Sequence, residues 1–184
     1  PPKHPGAFVT STYYDGWSTA MSGHVMRGGR HFAEFDFTND EPFVIFLGLI
    51  RPVSLTDGID LDSDWRGDVH PVAISSRSYQ LAEKLRSQRT AKWRNSNIHC
   101  CAYRSFDGRR CLTDWNNMRP PPADWEGREG LEGEGSIGLM LDLGEGTLSV
   151  YKNGRRLGVM EEELDGEYCW FASVVSASAC RIRM

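Results

Sequence analysis

The dipeptide Asn153-Gly154 does most to limit what this chain can fold into. Both residues tolerate the positive φ that a type I′ turn requires, and such a turn joins two antiparallel strands. The flanks agree: Leu148 to Lys152 alternates before it, and Arg155 to Val159 returns after it. Upstream, Leu139, Leu141 and Leu143 alternate with Met140 and Asp142, and Gly144-Glu145-Gly146-Thr147 turns the chain between the two runs. Period-2 alternation is the mark of a half-buried strand. Residues 137–159 therefore read as a three-stranded antiparallel meander.

The rest of the chain continues in the same style. His31, Ala33, Phe35 and Phe37 alternate with Phe32, Glu34 and Asp36. Phe43 to Ile50 is an unbroken apolar run, which suits a strand covered on both faces. Ile98 to Arg104 and Tyr168 to Ser176 are β-rich and bounded by turn residues. Ser78 to Gln88 is the one helical candidate, with Leu81 and Leu85 on a shared face. Gly, Pro and Asp clusters at 56–68 and 119–135 read as loops. The expectation is an all-β fold, a two-sheet antiparallel sandwich with at most one or two short helices.

A length of 184 residues suits one such domain. Residues 1–24 are expected to form an N-terminal extension packing on a domain of residues 25–184. The chain opens without Met, and its last residues, Arg181 to Met184, read as strand, so an excised or processed domain is expected. The longest apolar run is far short of the ~18 to 20 residues a membrane span needs, and no membrane partner is expected. The five cysteines (100, 101, 111, 169, 180) form an odd set without C-x-x-C spacing. That argues against a secreted disulfide framework and for an intracellular setting, cytoplasmic or nuclear. The net charge of −4 is segregated: residues 1–76 carry −5, residues 77–119 carry +7, and residues 120–184 carry −6. Either the fold interleaves these segments and cancels them, or a basic face steers acidic partners.

Several stretches resemble the SPRY domain. Gly29 to Phe35 is similar to its opening G-R-H-[YF]-x-E-[VF] strand, and Phe46 to Arg51 to its central apolar strand ending in a basic residue. Ala102 to Gly108 resembles the G-Y-x-S-x-D-G hairpin. Gly135 to Gly138, Leu141 to Leu143 and Leu148 to Gly154 resemble the most diagnostic block. Tyr168 to Val175 and Cys180 to Arg183 resemble the two closing strands. Ala33 stands where the family often has Trp, and Phe171 where Pro is frequent. Val53 to Asn97 is longer than the family's spacing. The resemblance implies a non-catalytic module that binds a protein or short peptide through variable loops, as a substrate receptor, adaptor or scaffold subunit. It implies no cofactor, and a monomeric domain within a larger protein or complex.

Motifs for other chemistry fail on context. Gly133-x-Gly135-x-x-Gly138 has the letters of a dinucleotide fingerprint, yet a strand follows it where a helix is needed. Asp60, Asp62 and Asp64 begin like a calcium loop, but Trp65 and Pro71 occupy the positions of its Gly and Glu. Arg66-Gly67-Asp68 is a chance tripeptide. No nucleophile, base and oxyanion site come together, so no enzyme is expected. Trp170 alternates in phase with Tyr168, Ala172 and Val174 and belongs in the core; Cys100 and Cys101 must face opposite sides of a strand.

Trp, Tyr and Arg dominate binding hot spots, because they bury large area at small entropic cost. The candidate partner-binding set is therefore Trp65, Arg66, Trp93, Arg94, Tyr103, Arg109, Trp115 and Trp125, and loops around 54–70, 77–97 and 113–130 are expected to form one concave rim. The alternative for the Trp residues is that they pack their loops onto the sheets. The alternative function is a lectin-like, carbohydrate-binding sandwich that stacks sugars on Trp. Nucleic acid is not expected, since no aromatic ribonucleoprotein motif accompanies the basic stretch.

Overall fold

In a computed structural model, residues 7–10, 16–37, 44–74, 78–116, 121–175 and 179–184 are described. The expected strand ends at Phe43 and Ser176, the segment from Tyr13 to Asp15, and residues 77 and 117–120 of the expected rim lie outside them.

Eleven strands form among the described residues: β1 (Ala7–Thr10), β2 (Trp17–Met21), β3 (Arg30–Phe37), β4 (Ile45–Ile50), β5 (Cys100–Arg104), β6 (Arg110–Thr113), β7 (Gly135–Asp142), β8 (Thr147–Lys152), β9 (Arg155–Glu161), β10 (Cys169–Val175) and β11 (Ala179–Arg183). They make two antiparallel sheets. One has six strands in the order β1-β11-β3-β7-β8-β9, and the other has five in the order β2-β10-β4-β5-β6. The meander at 137–159 is β7-β8-β9, and Asn153 (φ 49°) and Gly154 (φ 77°) make its second turn with both φ angles positive. β1 and β2, which lie within residues 1–24, are edge strands, one in each sheet.

The alternation sorts side chains as the pleat demands. Ala33, Phe35 and Phe37 of β3 meet Ile45, Leu47 and Leu49 of β4, Cys101 and Tyr103 of β5, and Trp170, Ala172 and Val174 of β10 between the sheets. Trp170 is in the core, as its phase required. Cys101 points into this layer and Cys100 out of it, as adjacent strand residues must.

β4 is buried along its whole length because its far face is covered too. Phe46 and Ile50 of β4, with Cys100, Ala102, Cys111, Cys169 and Phe171 of its neighbours, pack against a cap built from residues 51–97. The cap contributes Leu55, Ile59, Trp65, Val72, Ile74, Leu81, Ala82, Leu85 and Trp93. Its one α-helix, α1 (Tyr79–Ser87), buries Leu81, Ala82 and Leu85, and Ser78 and Gln88 stand at its ends. This is the stretch whose length exceeded the family's spacing. Two indoles pin the cap by donating to backbone carbonyls, Trp65 to Leu55 at 2.9 Å and Trp115 to Pro71 at 3.0 Å.

The acidic run at 60–64 serves the cap. The Asp60 carboxylate accepts the amides of Asp62 and Ser63 at the start of a helical turn, and those bonds hold it below the usual carboxylate range. Asp64 is held low by Lys84, 2.6 Å away on α1. Arg66 (φ 49°) and Gly67 (φ 82°) then reverse the chain so that Asp68 accepts the amide of Trp17 at 2.9 Å.

Truncating a buried Trp leaves a cavity that the surroundings fill only in part, at about 3 to 5 kcal/mol. Trp115→Ala should lower stability by about that amount in urea unfolding, at unchanged slope. A change within about 0.5 kcal/mol, the size of an ordinary surface effect, would contradict the cap as a second core.

Candidate functional site

At one end of the sandwich β4 leaves at Ile50, β5 enters at Cys100 and β10 enters at Cys169, so three loops converge. The residue that joins them is Arg51. Its amide donates to His99 O at 2.9 Å. Its guanidinium is fully buried and donates to three carbonyls: Asp165 at 2.9 Å, Glu167 at 3.1 Å and Ser96 at 3.1 Å. It also lies over the Tyr168 ring, 4.0 Å from the centroid, and 5.6 Å from that of Trp93. Burial pushes its pKa down, opposed by Tyr168 and the carboxylates of Asp165 and Glu167.

Around this base the 90–94 and 165–168 loops interlock. Glu167 N donates to Lys92 O at 3.2 Å, and Tyr168 exchanges both backbone hydrogen bonds with Met26. Gly166 (φ 86°) is needed on two counts: its backbone lies in the left-handed region, and a Cβ there would sit 2.5 Å from Trp93 O. The Glu167 carboxylate is buried, accepting from Arg27 Nε at 3.2 Å and Thr90 Oγ1 at 3.5 Å. Arg94 donates to the Asp165 carboxylate at 2.9 Å.

The outcome is a notch of about 240 Å³ lined by Arg27, Lys92, Arg94, Gly166 and Glu167. Arg27, Lys92 and Arg94 are exposed, whereas Trp93 and Glu167 beneath them are buried. Behind the notch, His99 lies between the rings of Trp93 and Trp115, with both centroids 5.1 Å away. Burial, aided by the charges of Arg51 and Arg89, pushes its pKa down to about 4.

The eight candidate residues are not brought together. Trp93 (0% exposed) and Trp65 (5%) are interior residues of the cap, Trp115 (1%) is buried against it, and Tyr103 (0%) belongs to the layer between the sheets. These four correct the expectation: each spends its large apolar area on folding, so no face is left for a partner. Burial also pushes the Tyr103 phenol well up while its hydroxyl donates to Glu129 O. Arg66 is exposed at the edge of the cap. Trp125 is half-buried, donating to Gly108 O at 2.7 Å, and neighbouring Arg109 is held by Asp124 at 3.0 Å. Arg94 alone of the eight lines the notch.

Sequence reasoning missed Arg27, Lys92, Gly166 and Glu167. Arg51 was visible only as a basic residue ending a strand. No spacing rule joins Arg27 to residues 92–94 and 166–167, since only the strand order makes them neighbours. The buried cysteines offer no nucleophile: burial pushes Cys111 and Cys169 to about 11, and Cys100 and Cys101 up as well. Among the described residues, no helix is long and apolar enough to cross a membrane.

Among solved structures, the chain is similar to the SPRY domain of human HERC1, at 15% identity and a TM-score of 0.59, over 96% of this chain and 87% of that one. It is similar to another human SPRY domain at 12% identity and a TM-score of 0.53, over 96% and 90% of the two chains. No family model matches the sequence, and no curated protein matches it. The fold is therefore that of a SPRY domain, as its sequence blocks implied.

The depressed His99 pKa has a consequence for stability. Between pH 6.5 and about 4 the unfolded chain binds a proton that folded His99 refuses, so stability falls as pH falls through that window. The limiting slope is about 1.4 kcal/mol per pH unit. His99→Phe should flatten this part of the profile in urea unfolding; an identical slope in both proteins would show that His99 takes up its proton in the folded state.

Proposed function

We propose that this domain is a non-catalytic protein-interaction module. It receives an exposed segment of a protein partner on the loop end that carries Arg27, Lys92 and Arg94. The observation that carries this reading is the notch itself: of its three exposed cations, Lys92 and Arg94 stand on a loop held by buried Arg51 through Ser96, and Arg27 follows the Met26–Tyr168 bridge. Binding there orders little that is not ordered beforehand, and such preorganisation raises affinity. The SPRY fold supports it, since domains resembling this one serve as substrate receptors, adaptors and scaffold subunits. A basic end on a chain of net charge −4 also orients an incoming acidic partner.

Arg66, Arg109 and Trp125 remain reachable, but Arg109 and Trp125 belong to the loops around Gly108 at the opposite end and take no part in this reading. The domain acts as a monomer inside a larger protein or complex. Five free, buried thiols suit the reducing interior of a cell. The carbohydrate reading needed exposed Trp faces, and Trp65, Trp93 and Trp115 supply none.

Affinity capture with quantitative mass spectrometry tests the location. Arg27→Glu combined with Arg94→Glu should reduce recovery of the wild-type partners about tenfold or more, the scale of losing hot-spot contacts. Phe106→Glu, on an exposed loop at the opposite end, should leave recovery unchanged. The reverse pattern would place the partner on the other end.

A further inference from the structure

We infer that the notch recognises carboxylate side chains, and that its occupant is a short Asp- or Glu-rich peptide segment. This rests on the reading of that end as the partner surface and adds the chemistry of the partner.

The donors decide the sign of the ligand. Arg27 uses Nε on Glu167 and Arg94 uses Nη1 on Asp165, so each guanidinium keeps further N–H groups for an incoming acceptor. Among the described residues the Lys92 ammonium has no side-chain partner. Arg89 stands close by, donating to Arg94 O at 2.9 Å, and buried Arg51 adds its charge from below. Asp165 and Glu167 are the two carboxylates engaged with this group, so the cations outnumber them. A guanidinium with a free edge matches a carboxylate as a planar fork, and such charge-assisted bonds are the strong ones.

Size and surroundings decide the class. About 240 Å³ is below the roughly 300–1,000 Å³ usual for small-molecule pockets, and holds one or two side chains. Gly166 lets its backbone lie directly against the carbonyls of Lys92 and Trp93, where a Cβ would sit 2.5 to 2.7 Å away, so this wall of the notch is packed backbone. A long polyanion is disfavoured, because the chain as a whole carries a net charge of −4. Nucleic-acid binding draws on many phosphate contacts, and three partly neutralised cations supply too few. A short acidic segment needs only one or two carboxylates to reach Arg27, Lys92 and Arg94, and Glu167 and Asp165 beside them are already engaged by Arg27 and Arg94.

Fluorescence polarisation with a labelled peptide carrying a run of Glu and Asp tests this, against the same peptide with Gln and Asn. The acidic peptide should bind, weaken with added NaCl, and exceed its amide counterpart about tenfold or more. Arg27→Gln with Arg94→Gln should remove that preference while the melting temperature stays within the range of surface substitutions. Equal binding of the two peptides, or an unchanged preference in the double variant, would overturn the inference. So would displacement of the acidic peptide by phosphatidylserine vesicles or a single-stranded oligonucleotide at lower charge concentration. Should partner capture depend on Arg27 and Arg94 while the acidic peptide fails to bind, the inference falls and the location of the partner surface stands. Should neither depend on them, both fall.

Discussion

A guanidinium with no access to water holds one end of this sandwich together. Burying a charge is costly unless its hydrogen-bonding groups are met, and an arginine can meet several acceptors at once from a planar fork. Arg51 donates to carbonyls on two loops and rests on the Tyr168 ring, so chain from residues 96 and 165–168 is fixed relative to the end of β4. Lysine in its place has one point of charge and no fork. The orientation of Gly166, Glu167 and the 90–94 loop follows from this contact, and with it the spacing of the exposed cations. The same charge helps keep His99 neutral between two indoles, against the opposing influence of Asp114.

The second constraint is the cap. A sheet with two apolar faces needs two covers, and residues 51–97 supply the second. That use of a long insertion explains why its tryptophans are inside. It also dissolves much of the charge segregation. The basic stretch at 77–119 meets acids from elsewhere: Lys84 pairs with Asp64, Arg109 with Asp124, and Arg110 with Glu161. Cancellation through folding accounts for these residues; at the notch Arg94 pairs with Asp165, and Lys92, without a side-chain partner among the described residues, stands beside it with Arg27.

The strands were legible because alternation is a local signal. Leu139, Leu141 and Leu143 fix their own faces, and Asn153-Gly154 fixes the turn, with no knowledge of the rest of the chain. Phe43 to Ile50 announced burial on both faces, though not what the second cover is. The amphipathic stripe of Leu81 and Leu85 gave the helix. The site was less legible because it depends on which strands end side by side. Arg27 precedes β3 and Glu167 precedes β10, and their ion pair exists through the Met26–Tyr168 bridge. Composition misled for Trp93 and Trp115: an aromatic residue in a loop reads alike whether it faces a partner or folds beneath its own segment. Only contacts that are distant in sequence tell these apart.

Amide hydrogen exchange of the domain, free and with a captured partner, measures the central claim most directly. Exchange in residues 90–97 and 164–168 of the free domain should be slow for loop segments, since Arg51 and the Met26–Tyr168 bridge tie them down. Partner binding should add protection at residues 24–29, 89–95 and 164–168. Protection confined to the loop around Phe106 at the opposite end, with these segments unchanged, would contradict the account.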